Sequence, residues 1–273
     1  MFIAYSKHKK LFTSIIVIVV FCAWYFSRQP SNDRVWSLDQ QVLTHAEFDA
    51  DMVSVFNIRN FTYTSVSEYT PAYYDKTFNL NDLKSVDYIV EPFGSIGAAH
   101  TFLSFGFNTG DYLAISVEIR KEIGESFSPL KGLLKNYELM YVVADERDVI
   151  NLRTNYRKDT VYLYPVRTSK ENMRALFVDM LKRTNKLRDK PEFYNTLTST
   201  CTTNIASHVN KIVPGRIPLD PRLLFPKNSD ALAYELGLIN NSVTLEELRV
   251  RNKINEKAKQ YADSPDFSKL IRK

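Results

Sequence analysis

Polarity changes abruptly near the N-terminus. Lys7-His8-Lys9-Lys10 gives way to Leu11–Phe26, LFTSIIVIVVFCAWYF, sixteen residues without a charge. As a helix this run covers about 24 Å, a little short of a hydrocarbon core of about 30 Å. Trp24 and Tyr25 suit the membrane interface, and the basic flank predicts a cytoplasmic N-terminus with the body outside. A cleaved signal peptide shares this layout. The bulky Trp24, Tyr25 and Phe26 offer no small-residue cleavage site, so the run reads as an uncleaved signal anchor.

Beyond a short polar linker at Gln29–Asp33, the pattern alternates between strand and helix signals. Asp33–Asp51 reads as a mixed, helical approach segment, and Val53–Tyr63 as weakly alternating strand. Tyr69–Asn81, rich in tyrosine, reads as a surface loop, and Tyr88-Ile89-Val90 as a short buried strand. The clearest hairpin joins Ala98–Phe107 (AAHTFLSFGF) to Tyr112–Ile119 (YLAISVEI) through the turn Asn108-Thr109-Gly110-Asp111. Asn136–Ala144 and Asp159–Pro165 are two more strands by their Val, Tyr and Leu content, with a short charged helix and turn between them.

Thr168 and Glu171 have capping-box spacing ahead of Met173, Leu176, Phe177, Met180, Leu181 and Leu187 at helical intervals. A second helix is predicted over Thr200–Val213, a third over Ser229–Leu236, and a last one from Thr244 to about Ala262. Neighbouring strands followed by gathered helices fit α+β better than a βαβ alternation. The predicted organisation is residues 1–30 as flank, anchor and linker, then one extracytoplasmic domain over 31–273. Its core spans about 53–226, with a helical C-terminal extension over about 227–273.

Composition narrows the function classes. The chain has 273 residues, 44% hydrophobic and 25% charged, which excludes disordered and low-complexity classes. Two cysteines, Cys22 and Cys201, and four histidines leave no disulfide framework or cysteine-rich zinc site, and no cofactor is expected. The net charge of +5 comes largely from the N-terminus. Removing its four cations (Lys7, Lys9, Lys10, Arg28) from the 36 leaves 32 basic against 31 acidic residues. No nucleic-acid partner is indicated.

Cys201 is the one cysteine outside the apolar run. It lies in Ser199-Thr200-Cys201-Thr202-Thr203-Asn204, where a helix begins, and a helix start lowers a thiol pKa. A small buried residue is the alternative role. His100, inside an apolar strand, is the candidate base. His208 shares the Cys201 helix but lies about 10 Å along it, and His45 has no supporting context. With Thr109–Asp111 as the loop, Asn108 pairs with Tyr112 and His100 faces Arg120, so Glu118 becomes a diagonal neighbour able to orient the imidazole. A surface ion pair with Arg120 or Lys121 is the other reading of Glu118. The run Asp145-Glu146-Arg147-Asp148 with Arg153, Arg157 and Lys158 reads as a solvated, salt-bridged face, the alternative being an arginine pocket for a phosphate headgroup.

Four blocks in order carry a resemblance: His100-Thr-Phe-Leu-Ser-Phe-Gly-Phe, Tyr112 through Arg120, Val143-Ala-Asp-Glu-Arg-Asp148, and Thr200-Cys-Thr-Thr-Asn204. Together they resemble the Lnb N-terminal periplasmic domain family over roughly Val53 to Pro226. The resemblance implies an antiparallel sheet with packed helices, related to circularly permuted papain-like, NlpC-type thiol enzymes, in the periplasm of Gram-negative bacteria. It implies an acyltransferase moving a fatty acyl chain from a phospholipid to a lipoprotein amine, with Cys201 as nucleophile, His100 as base and Glu118 as third member. The namesake type can carry further membrane helices after this domain, and this chain has a single N-terminal run. A cysteine hydrolase of the envelope and a non-enzymatic envelope binding module are the other classes compatible with these residues. The oligomeric state is left open.

Overall fold

The computed structural model describes residues 2–94 and 97–273, with side chains from residue 10 onward, so those of Lys7, His8 and Lys9 lie outside it. Helix α1 runs over Phe2–Ser27. Its segment Lys10–Ser27 is long and apolar enough to cross a membrane, and none of it is buried against the body. The body is mixed α+β. Its strands are β1 (His45–Asp49), β2 (Met52–Arg59), β3 (Thr62–Tyr63), β4 (Tyr69–Thr70), β5 (Tyr73–Asn79), β6 (Leu83–Pro92), β7 (Ala99–Phe107), β8 (Tyr112–Arg120), β9 (Glu138–Asp145) and β10 (Tyr162–Pro165). Its helices are α2 (Pro129–Leu133), α3 (Glu146–Asn151), α4 (Lys170–Asp189), α5 (Cys201–Ile212), α6 (Ser229–Glu235), α7 (Leu245–Asn252), α8 (Asn255–Gln260) and α9 (Phe267–Leu270).

The main sheet has the order β1-β2-β9-β8-β7-β6-β10, with β5 also paired to β2. From β6 through β9 it is antiparallel. The central strands are buried on both faces, which is why they read as near-continuous apolar runs. Leu103, Phe105 and Phe107 of β7 meet one layer, where Phe177 of α4 lies edge-on to the Phe105 and Phe107 rings. Phe102 turns to the other layer with Ala114, Val142, Val149 and the C-terminal Ile254, Phe267 and Ile271. The extension after residue 226 is therefore not peripheral. It closes the second face, and Arg272 forms ion pairs with Asp87 and Glu146 beneath the sheet.

Several local expectations are corrected. Asp33–Asp51 is not helical beyond a single turn at Leu38–Gln40, because His45–Asp49 pairs with β2. Tyr69–Asn81 is not a loop. Phe78 is buried against Phe107, and the strand it belongs to pairs with β2. Helix α4 is capped by Ser169, which accepts from Asn172 N, one residue later than the Thr168–Glu171 spacing proposed. The last predicted helix is interrupted at Lys253, where the chain bridges to Tyr162. The linker after α1 is clamped rather than loose. Ser31 N donates to Glu138, Asn32 donates to the Arg188 carbonyl at 2.7 Å, Arg34 pairs with Glu122 and Glu138, and Trp36 stacks on Arg120.

Candidate active site

Helix α5 starts where the sequence places it. Thr200 accepts from Thr203 N while Thr203 Oγ1 accepts from Thr200 N, a reciprocal cap worth about 1 kcal/mol. This leaves Cys201 in the first turn, where backbone amides have no intrahelical acceptor and the positive end of the helix favours an anion. Thr202 fixes the turn against the sheet through a 3.0 Å contact with Thr101 of β7. Cys201 is buried and lines a cleft of about 400 Å³ shared with His100, Glu118, Glu91, Arg153 and Tyr194.

The β7–β8 register differs from the expected one by two residues. Gly106 pairs with Tyr112 and Phe102 with Ser116, and Phe107 N donates to the Asp111 carbonyl, so the turn occupies 108–110. Continued outward, this register sets His100 opposite Glu118 rather than Arg120. A slip of two keeps every side chain on its face, so Glu118 moves from a diagonal to a direct neighbour. His100 Nε2 lies 3.1 Å from Glu118 Oε1 and 2.7 Å from Ser116 Oγ, and Ser116 itself donates to Glu118 at 2.7 Å. With Nε2 engaged there, Nδ1 is the ring nitrogen left for the sulfur. Glu118 is thus no surface partner of Arg120, which is buried and bound to the Gln40 and Gln41 carbonyls.

The charges bias one another. Burial opposes ionisation of His100, but the Glu118 carboxylate and the Cys201 sulfur override it and raise the imidazole to about 10. Burial likewise raises the Cys201 thiol, yet the imidazolium together with hydrogen bonding from Thr101 brings it down to about 7. Glu118 is held well below the ordinary carboxylate range, because His100, Arg153 and Ser116 outweigh its desolvation. Between about pH 7 and 10 the favoured state is a thiolate beside an imidazolium.

The sequence names Arg153 only within a charged stretch read as a solvated face. Of that stretch Glu146, Asp148 and Arg153 are buried, while Arg157 and Lys158 are exposed. After α3 the chain widens into one π-helical turn over Leu152–Tyr156, an irregularity frequent at functional sites. There the Arg153 guanidinium lies over the Phe102 ring. Its Nε donates to Glu91 at 2.6 Å and its Nη2 to Glu118 at 3.0 Å. Glu91 of β6 pairs with His100 across the ladder, so the guanidinium fork spans β7 and grips a carboxylate on either side of it. Asp148 is similarly interior, accepting from Arg59, Phe61 N and Tyr63.

His208 stands apart from this cleft, between Tyr141 at 2.8 Å and Asp179 at 2.7 Å. His45 stacks on Phe56 in the first hairpin. Cys22 is an exposed position of α1. Among the described residues no group of three His, Cys, Asp or Glu is arranged to hold a metal ion.

A family model, that of the Lnb N-terminal periplasmic domain, matches residues 69–227, more than half of the chain. The matched span runs from β4 to just before α6 and contains His100, Glu118, Arg153 and Cys201. No curated protein and no solved structure gives a match.

Proposed function

The chain belongs to the Lnb N-terminal periplasmic domain family, and from that premise we propose a membrane-anchored thiol acyltransferase acting outside the cytoplasm. The observation that carries the reading is one cleft holding Cys201 at a helix start, His100 beside it, and Glu118 fixing the far side of the imidazole. A histidine strand that precedes the cysteine helix suits a permuted papain-like, NlpC-type enzyme. Helix α1 would hold the protein in the inner membrane, N-terminus inside and body in the periplasm.

In this reading the Cys201 thiolate attacks an ester carbonyl of a phospholipid. The carbonyl π electrons move to oxygen, which the free amides at the start of α5 are placed to stabilise. Collapse breaks the acyl–oxygen bond, and His100 gives its proton to the departing lyso-lipid oxygen. The acyl chain is then a Cys201 thioester. An amine, in the lipoprotein case an N-terminal one, attacks it and passes a proton to His100. An amide forms and the thiolate is restored.

The test uses the full chain in bilayers containing a phospholipid with a labelled acyl chain. A neutral-hydroxylamine-labile label on the protein, absent in Cys201→Ala and chased to an added lipopeptide amine, is the expected result. Full turnover by Cys201→Ala would eliminate the mechanism. Release of free fatty acid, or cleavage of an added muropeptide, with no amide product would assign the same residues to a hydrolase.

A further inference from the structure

We infer that the segment between β8 and β9, together with the loop before α5, forms a second membrane contact that seats the mouth of the cleft on the bilayer surface. The inference rests on α1 spanning the membrane. Its own support is a set of exposed apolar side chains continuous with the end of that helix. Ile123 is 69% exposed, Leu130 63%, Leu197 56% and Phe127 46%. Ile123, Phe127 and Leu130 lie on the one segment between β8 and β9, and two bonds tie it to its neighbours. Thr196, beside Leu197, donates to the Pro129 carbonyl at 2.8 Å, and Ile123 N donates to the carbonyl of Val35, itself 69% exposed.

This surface joins the helix end directly. Lys135, just after α2, donates to the Tyr25 carbonyl at 3.1 Å, and its ammonium lies 4.4 Å from the Tyr25 ring centroid. Tyr25, with Trp24 next to it, has the aromatic character of the headgroup level. A segment touching Tyr25 stands at that level too. Lys131 and Lys135 sit among the apolar side chains, a mixture suited to an interface lined by anionic headgroups. The clamped linker allows little retreat, since Ser31, Asn32 and Arg34 are all bonded to the body within a few residues of Ser27. Phe127 is both an exposed member of this surface and part of the wall of the Cys201 cleft. The partner is therefore a lipid surface, and the contact points the cleft at it.

Site-directed spin labelling tests this on the full chain in phospholipid vesicles, with Cys22→Ala and Cys201→Ala removing the native thiols. Single cysteines are introduced as Leu130→Cys, Leu197→Cys, Val17→Cys and Val250→Cys, the last on α7 beside the edge strand β10. The expected result is that labels at 130 and 197 are several-fold more accessible to oxygen relative to a water-soluble nickel chelate than the label at 250. A label at 17 that is shielded while 130 and 197 behave like 250 overturns the membrane contact and leaves the anchor standing. A label at 17 as accessible to nickel as that at 250 overturns the anchor and this inference together.

Discussion

His100 and Glu118 face each other across β7 and β8, with Nε2 and Oε1 3.1 Å apart, and Arg153 holds the same Oε1 from the other side. The carboxylate cannot turn away from the imidazole without abandoning a buried guanidinium. The ionisation of Cys201 therefore depends on three elements distant in sequence: a strand, its hairpin partner, and a π-helical turn.

Alkylation of Cys201 by iodoacetamide should follow a single titration near pH 7, well below an ordinary thiol. His100→Ala should move that midpoint up toward 9 or beyond, since burial remains and the imidazolium is gone. An unchanged profile in the variant would mean that the sulfur and the imidazole do not communicate.

Glu118→Gln keeps the shape of the side chain and removes its charge. His100 should then lose its main support and titrate below about 10, so imidazolium is lost at lower pH. The upper limb of a pH–rate curve should shift to lower pH. A drop of one unit corresponds to about 1.4 kcal/mol of lost interaction.

Arg153→Met strands Glu91 and Glu118, both held by the same guanidinium. Removing one member of a buried ion pair costs about 3–5 kcal/mol, which a urea midpoint would report. Arg153→Lys should recover only part of this, because an ammonium cannot reproduce the fork. Equal stability of the Lys variant and the parent would argue against a two-carboxylate grip.

Stability should vary with pH in two opposed ways. His100 titrates higher folded than unfolded, so its contribution is full below about 6.5 and fades as pH rises toward about 10. Cys201 titrates lower folded than unfolded, so its contribution is full above about 9 and fades as pH falls through about 7. Between pH 7 and 9 the two slopes offset each other. The parent protein should show a nearly level urea midpoint there, while Cys201→Ala should lose stability steadily as pH rises.

The parts legible in the sequence were those set by local chemistry. The β7–β8 hairpin announced itself through alternation and Gly110, and the start of α5 through a run of hydroxyl side chains around Cys201. The register differs by two because the turn sits one residue earlier: Phe107, still in its strand, takes the place expected of Asn108 and donates to the Asp111 carbonyl, leaving 108–110 as the loop. Arg153 was illegible for a different reason. An arginine within a charged run looks solvated unless its partners are known, and here they lie on β6 and β8. The same holds for Asp148, whose donors come from a region more than eighty residues earlier. The strand β5 was hidden by its tyrosines, which suit a half-exposed edge as well as a loop.

The clamped linker also changes the dimension in which concentration is counted. On the proposed anchoring, a body tied to its helix within a few residues would not search the surrounding volume. Its encounters with a lipid substrate would be set by how many such molecules share each unit of membrane area. Adding inert lipid at constant total substrate should slow turnover, while adding buffer to the same vesicles should leave it unchanged.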